Sequence, residues 1–258
     1  MIPMVPKSRT MKPADPNPEP ELQQLLNADP TDGPHKPLHL IENDRAVRDL
    51  VRRNPGSAAA RYEFKHTRRG YVLQYPLFRA VALGASTKTI RLLAAACPAA
   101  LSDVGPNGNG GTPLHAACMF GASLEVVRLL VELCPAALVL KARYGYTPLH
   151  TACNCRASDD VIEFIATMHP RALEERTKLR ETPTIIAERR GCSPELMATL
   201  AALRLEEAGS DTQSQCSVSS STRTKKTWRQ RLQTKPSTFV KEQRRSSSTA
   251  CTARSSVS

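Results

Sequence analysis

The sequence predicts an all-α solenoid of about five helix–turn–helix units, set between two flanks of different composition. Three observations carry this. First, a proline-led motif recurs in register, as Pro37-Leu38-His39, Pro76-Leu77-Phe78, Pro113-Leu114-His115, Pro148-Leu149-His150 and Pro183-Thr184-Ile185, with spacings of 39, 37, 35 and 35 residues. A period of this length marks stacked supersecondary units. Second, a serine lies 10 residues after the proline in four copies (Ser86, Ser123, Ser158, Ser193), and a further proline lies 12 residues after the serine in three (Pro98, Pro135, Pro170). Third, the segments after the serines carry apolar residues at helical spacing. A stack of such units offers an elongated binding surface rather than a buried catalytic cleft.

Along the chain, residues 1–34 form a proline-rich segment predicted to be disordered, with no regular element beyond one short turn at Leu22–Leu26. It shows no hydrophobic signal core, and its prolines and acids argue against a transit peptide. The repeat domain is expected over 35–208. In the first unit Pro37 and Asn43 are 6 residues apart instead of 10, so its first helix is expected to be about one turn shorter. Ala46, Val47, Leu50 and Val51 mark its second helix, and the unit reads as an N-terminal cap. The link from Pro55 to Pro76 spans 21 residues, against 13 to 15 in later units, which predicts an enlarged finger or loop around Ala60 to Tyr75.

In the later units Thr112, Thr147 and Thr182 precede their prolines. Thr caps a helix by accepting from an orphan N–H of the first turn, and Pro is tolerated at the first helical position. The serines are expected to cap the second helices, and the following prolines to stop them. Val126, Val127, Leu129, Leu130, Leu133 and Cys134 form one stripe, Val161, Ile162, Phe164, Ile165 and Met168 the next, and Leu196, Met197, Leu200 and Leu203 the last. One unit cannot bury such a stripe alone; stacking its neighbours does.

At Gly111-Thr-Pro-Leu-His-Ala-Ala-Cys118 and Tyr146-Thr-Pro-Leu-His-Thr-Ala-Cys153 the chain resembles the ankyrin repeat, whose signature is T-P-L-H-x-A. The resemblance covers about residues 35–205. The copy at Tyr75 has Tyr and Phe78 for Thr and His, and the copy at Thr182 has Thr184 and Ile185 for Leu-His. The period is 35 in the later units, where the family's usual one is about 33. A Cys-Pro-Ala-Ala-Leu segment follows two second helices, and His169-Pro-Arg-Ala-Leu173 is its third version. The resemblance implies a noncatalytic scaffold that binds another protein through the concave face and fingers of units two to five. The residues it points to are Gln74 and Leu83, Met119 and Phe120, Arg143, Tyr144 and Tyr146, Asn154 and Cys155, and Arg189 and Arg190. Tyr and Arg are enriched at binding hot spots, which favours Tyr144, Tyr146 and Arg143, with Phe120 beside them. The family also implies that the signature histidine hydrogen-bonds backbone between units.

No catalytic residues and no cofactor are expected. His115 with Cys118, and His150 with Cys153, have a spacing that suggests zinc, but both pairs are generated by the repeat and lie a unit apart, whereas zinc needs four converging ligands. Packing is the preferred reading, with the cysteines as small core residues. The glycines of Gly105 to Gly111 lack the Lys-Ser/Thr of a phosphate loop. The chain has 8 cysteines, but its repeats already build a core and reduced thiols are expected, in the cytoplasm or nucleus. Cys155, at a position the family exposes, is a candidate reactive thiol. The longest apolar run, Leu92 to Leu101, is too short to span a bilayer. A soluble monomer is expected.

Charge is uneven. The formal net charge is +12. The Ser/Thr-rich tail, 209–258, holds ten basic residues against Asp211 and Glu242, or +8; residues 1–34 contribute −2, and the repeats +6. The tail is predicted to be disordered. Its charge suits an acidic partner, nuclear import or nucleic acid, and equally a merely solvated end. Trp228, Leu232, Phe239 and Val240 interleave with the cations as in a short interaction motif. Arg244-Arg245 ahead of Ser246, Ser247 and Ser248 resembles a basophilic-kinase site. The alternative function is therefore a nuclear or nucleic-acid-associated regulator targeted by a phosphorylatable tail.

Overall fold

A computed structural model of the chain describes residues 20–28, 43–66, 70–105 and 111–212. The chain divides into two units, 1–212 and 213–258, and the described residues all lie in the first. The motif Pro37-Leu38-His39 with its shortened helix, and the tail with Ser246, Ser247 and Ser248, fall outside the described residues.

The repeats are stacked helix pairs. Unit one contributes α2 (Asp44–Arg53); unit two, α3 (Pro76–Ala82) and α4 (Thr87–Ala96); unit three, α5 (Pro113–Met119) and α6 (Leu124–Leu133). Unit four contributes α7 (Pro148–Cys155) and α8 (Asp159–Met168), and unit five α9 (Pro183–Arg190) and α10 (Pro194–Thr212). The last helix thus runs past residue 208. First helices pack side by side, α3 on α5, α5 on α7 and α7 on α9, while α4, α6 and α8 form the second layer.

The first helices of units two to five start where predicted. The hydroxyls of Thr112, Thr147 and Thr182 accept from the N–H of His115, His150 and Ile185, with Pro at the next position. The serines divide. Ser86 accepts from Thr89 N–H and Ser193 from Leu196 N–H, but Ser123 and Ser158 make no side-chain cap bond. The two active serines also tie neighbouring units together. Ser86 donates its hydroxyl and its N–H to Asp44 at 2.8 and 3.1 Å, and Ser193 donates to Asp159 at 2.6 Å. Burial works to raise the Asp44 carboxyl, yet hydrogen bonds from Thr89 and Ser86, with Arg48 beside it, hold it below the ordinary carboxylate value.

Most of each apolar stripe is buried, with Cys134, Phe164, Met197 and Leu203 half-buried. Val126, Val127, Leu129 and Leu130, then Val161, Ile162 and Ile165, are buried between the layers, whereas Leu133 is 37% exposed. Leu133 is the last residue of α6. Full burial of one such side chain contributes about 1.5–3 kcal/mol, so the stack holds together through many comparable contacts between neighbours rather than one centre.

Each second helix ends on a residue driven extended by the following proline: Cys97 (φ −140), Cys134 (φ −146) and His169 (φ −142). A 3-10 turn follows, at Pro55–Ala59, Pro98–Leu101, Pro135–Leu138 and Pro170–Leu173. It buries Ala100 and Leu101, Ala137 and Leu138, Ala172 and Leu173 between its own unit and the next.

The enlarged finger or loop expected around Ala60 to Tyr75 is an antiparallel hairpin, β1 (Tyr62–His66) and β2 (Gly70–Gln74), with Phe64 facing Val72. The alternation explains it: Tyr62 and Phe64 are buried, their rings 6.0 Å apart, while Glu63 and Lys65 point outward. The N-terminal segment also contributes to the folded body. Helix α1 (Pro20–Leu25) packs on α2 and β1, and Leu22 and Leu26 are fully buried. The folded body therefore begins before residue 35, and Leu22–Leu26 is more than an isolated turn.

Buried Arg79 holds this corner. Only 2% exposed, it donates to the carbonyls of Leu26 at 3.1 Å, Ala28 at 2.6 Å and Lys65 at 2.8 Å, and its guanidinium lies over the Phe64 ring. Two of these acceptors are carbonyls at or beyond the end of α1, which lack helical partners. Asn27 accepts from Lys65 N–H, and Gln23 donates to the Glu63 carbonyl at 2.6 Å. The outer edge of β1 is thereby covered.

Candidate protein-binding face

The signature residues are consumed by the stack. His115 Nδ1 accepts from Thr112 N–H at 3.1 Å, with the Thr112 hydroxyl at 2.9 Å, and Nε2 lies 3.0 Å from the Tyr146 carbonyl of the next finger. His150 repeats this, with Thr147 N–H at 3.3 Å and the Glu181 carbonyl at 3.2 Å. An Nδ1 that accepts from an amide carries no proton, so the proton is on Nε2, which donates to the carbonyl. Burial pushes the His115 imidazole down to about 4 and lowers His150 as well. Both rings are neutral clamps between units, as the resemblance implied. Burial likewise raises the Cys118 thiol, and Cys153 to about 12, so these are packing residues.

The predicted site residues fall into two groups. The first is a row at the C-terminal ends of consecutive first helices. Leu83 follows α3 and is half-buried; Met119 ends α5, 44% exposed, with half-buried Phe120 as its C-cap. Asn154 and Cys155 end α7, and Arg189 and Arg190 end α9. The row is joined across units: Arg190 donates to the Asn154 side-chain oxygen at 2.7 and 3.1 Å, and Arg189 pairs with Glu181. Cys155 is exposed, yet burial of its thiol raises its pKa against the weaker pull of Arg190. That shift favours the protonated thiol over the thiolate.

The second group is on the fingers. Arg143, Tyr144 and Gly145 form a 3-10 turn, with Tyr144 in the left-handed region at φ 62 and half exposed, and the Arg143 guanidinium 4.6 Å from its ring centre. Tyr146 is held to the stack, its carbonyl by His115 and its ring 5.8 Å from that of His150. Gln74 lies apart from these, half-buried at the end of β2.

Sequence reading missed the finger of unit five. Lys178, Leu179 and Arg180 stand 35 residues after Arg143, Tyr144 and Gly145, so the period itself pointed to them. Leu179 is 70% exposed, and Lys178 N–H donates to the Tyr144 carbonyl at 2.8 Å, joining the two fingers.

Stacked helix pairs, clamped finger to finger by buried histidines and offering one row of spare side chains, define a helical-repeat binding scaffold. A family model of ankyrin repeats, in 3 copies, matches residues 77–176, and the chain is an ankyrin-repeat protein. No curated protein matches it significantly. Ankyrin repeats are generally protein–protein interaction modules, and typically noncatalytic. Among the described residues no helix is long and apolar enough to cross a membrane.

Proposed function

We propose that the chain is a noncatalytic scaffold of the cytoplasm or nucleus that binds another protein through the concave face and fingers of units two to five. One observation supports this most. The polar signature residues are taken up by bonds within the stack, whereas Met119, Cys155, Arg189, Arg190, Arg143 and Tyr144 remain at the surface in three consecutive units. A continuous row of exposed apolar and cationic side chains on a rigid frame suits recognition of a protein surface.

Site-specific photo-crosslinking in cells tests the reading. A photoreactive residue at Met119, Tyr144 or Arg190 is expected to capture a common protein. The same group at Lys88 or Glu132, exposed on the second helices, is expected not to. Adducts formed only from the second-helix positions would refute the assignment of the face.

A further inference from the structure

We propose that the joined fingertips of units four and five are a docking site for an acidic segment of a partner protein with interspersed apolar side chains. This rests on the scaffold reading and gives the partner a chemistry.

The two fingers form one rigid unit. Ala142 N–H donates to the Tyr146 carbonyl at 2.8 Å and Thr177 N–H to the Glu181 carbonyl at 3.0 Å, closing each loop. The Thr177 hydroxyl accepts from the N–H groups of Leu179 and Glu181. Lys178 N–H then bridges to Tyr144, and a Cβ on Gly145 would come within 3.5 Å of the Lys178 nitrogen. The backbone of this platform has little entropy left to lose on binding.

Its charge is unbalanced. Glu174, Glu175 and Glu181 are engaged by Arg204, Lys141 and Arg189. Arg143, Arg176, Lys178 and Arg180 have no carboxylate partner among the described residues. Four exposed cations on two adjoining loops make a positive field that selects acidic ligands and speeds their encounter. Arg180 has φ 60, where the preceding finger has Gly145 at φ 76. A cationic side chain thus occupies a backbone conformation that favours glycine, a local cost of the kind found at binding sites.

The apolar residues decide between protein and nucleic acid. Single strands are gripped by bases stacking on open aromatic faces, but the Tyr144 ring has Arg143 over one face. Leu179, the most exposed apolar side chain on the two fingers, offers a base no stacking surface. Beside cations, Leu179 and Tyr144 instead suit a segment that alternates carboxylates with apolar side chains.

The test uses the full chain and three labelled probes in fluorescence anisotropy: a twelve-residue peptide alternating glutamate with leucine or phenylalanine, the same peptide with lysine for glutamate, and a twelve-nucleotide single strand. The acidic peptide is expected to bind and the lysine peptide not. Lys178→Glu with Arg180→Glu should weaken the acidic peptide by tenfold or more, and Leu179→Ser by about threefold or more. Arg180→Gly, which suits the backbone, should reproduce part of the charge effect without loss of fold. Acidic-peptide affinity unchanged by the finger variants would overturn the proposal, as would a single strand that loses more affinity than the peptide. If that happens while crosslinks still form from Met119 and Arg190, only the fingertip site is lost and the scaffold reading stands.

Discussion

His115 and His150 make the register of the stack depend on neutral imidazoles. An unfolded histidine titrates near 6.5, whereas folded His115 is pushed down to about 4. Between these values the unfolded chain binds a proton that the folded chain refuses. The stability from this clamp is whole above about pH 6.5, falls as the pH drops through the window, and is gone below about pH 4. For His115 the loss is on the order of 3 kcal/mol, and His150 shifts in the same direction. Denaturant midpoints measured from pH 7 to 4 should fall steeply in the native chain and less steeply with His115→Gln; equal slopes would show that the ring is not the acid-sensitive clamp. Of this site, Thr112 and His115 were legible three residues apart as a cap and its helix. The far acceptors, the carbonyls of Tyr146 and Glu181, lie 31 residues onward, and no local pattern points to a carbonyl. Leu179 shows the opposite case: its place in the period marked it, but its exposure depends on how the finger turns.

Among elements, the helices that repeat were readable because proline and stripe recur in register and a cap residue accompanies most copies, which is the consistency that specifies a fold. Helix α1 and the hairpin are single occurrences, and each is defined by the other. Arg79 reads in sequence as one cation on a short helix, yet its three carbonyl acceptors come from segments up to 53 residues away. Arg79→Leu should leave the carbonyls of Leu26, Ala28 and Lys65 without that donor. Bonds to charged groups contribute about 1.5–3 kcal/mol, so a loss on the order of 2–3 kcal/mol is expected, with faster proteolysis between residues 20 and 43. Arg79→Lys should rescue little, because an ammonium lacks the planar fork that reaches several acceptors at once. Unchanged cleavage and midpoint in Arg79→Leu would mean that α1 is held by Leu22 and Leu26 alone. The alternation at Tyr62 and Phe64 could have marked a strand, but a period of two over five residues is easily lost beside four helical copies.

At the scale of the whole molecule, composition tells of two basic regions. The repeats carry about +6 and the tail +8, and the unpaired cations at the fingers of units four and five give part of the first a location. For an acidic partner, we propose that the tail's charge adds long-range attraction to the finger contacts, and that phosphate on Ser246, Ser247 and Ser248, next to Arg244 and Arg245, is a means of control. Each phosphate adds about −1.5 to −2 charge at neutral pH, so two or three would cancel much of the tail's +8. This attraction is screened by salt over about 8–10 Å, which makes it separable from the apolar contacts of Leu179 and Tyr144. Three forms should be compared in cells and in binding assays across a salt series: the full chain, a 1–212 truncation that spares α10, and the Ser246, Ser247, Ser248→Asp triple. If the tail is a phosphate-controlled address, truncation and triple should shift localisation in the same direction and flatten the salt dependence of partner binding, the triple by less because three aspartates offset only part of the tail's +8 whereas truncation removes its cations altogether. Identical distributions and salt slopes for all three would show that the repeats work without help from the tail.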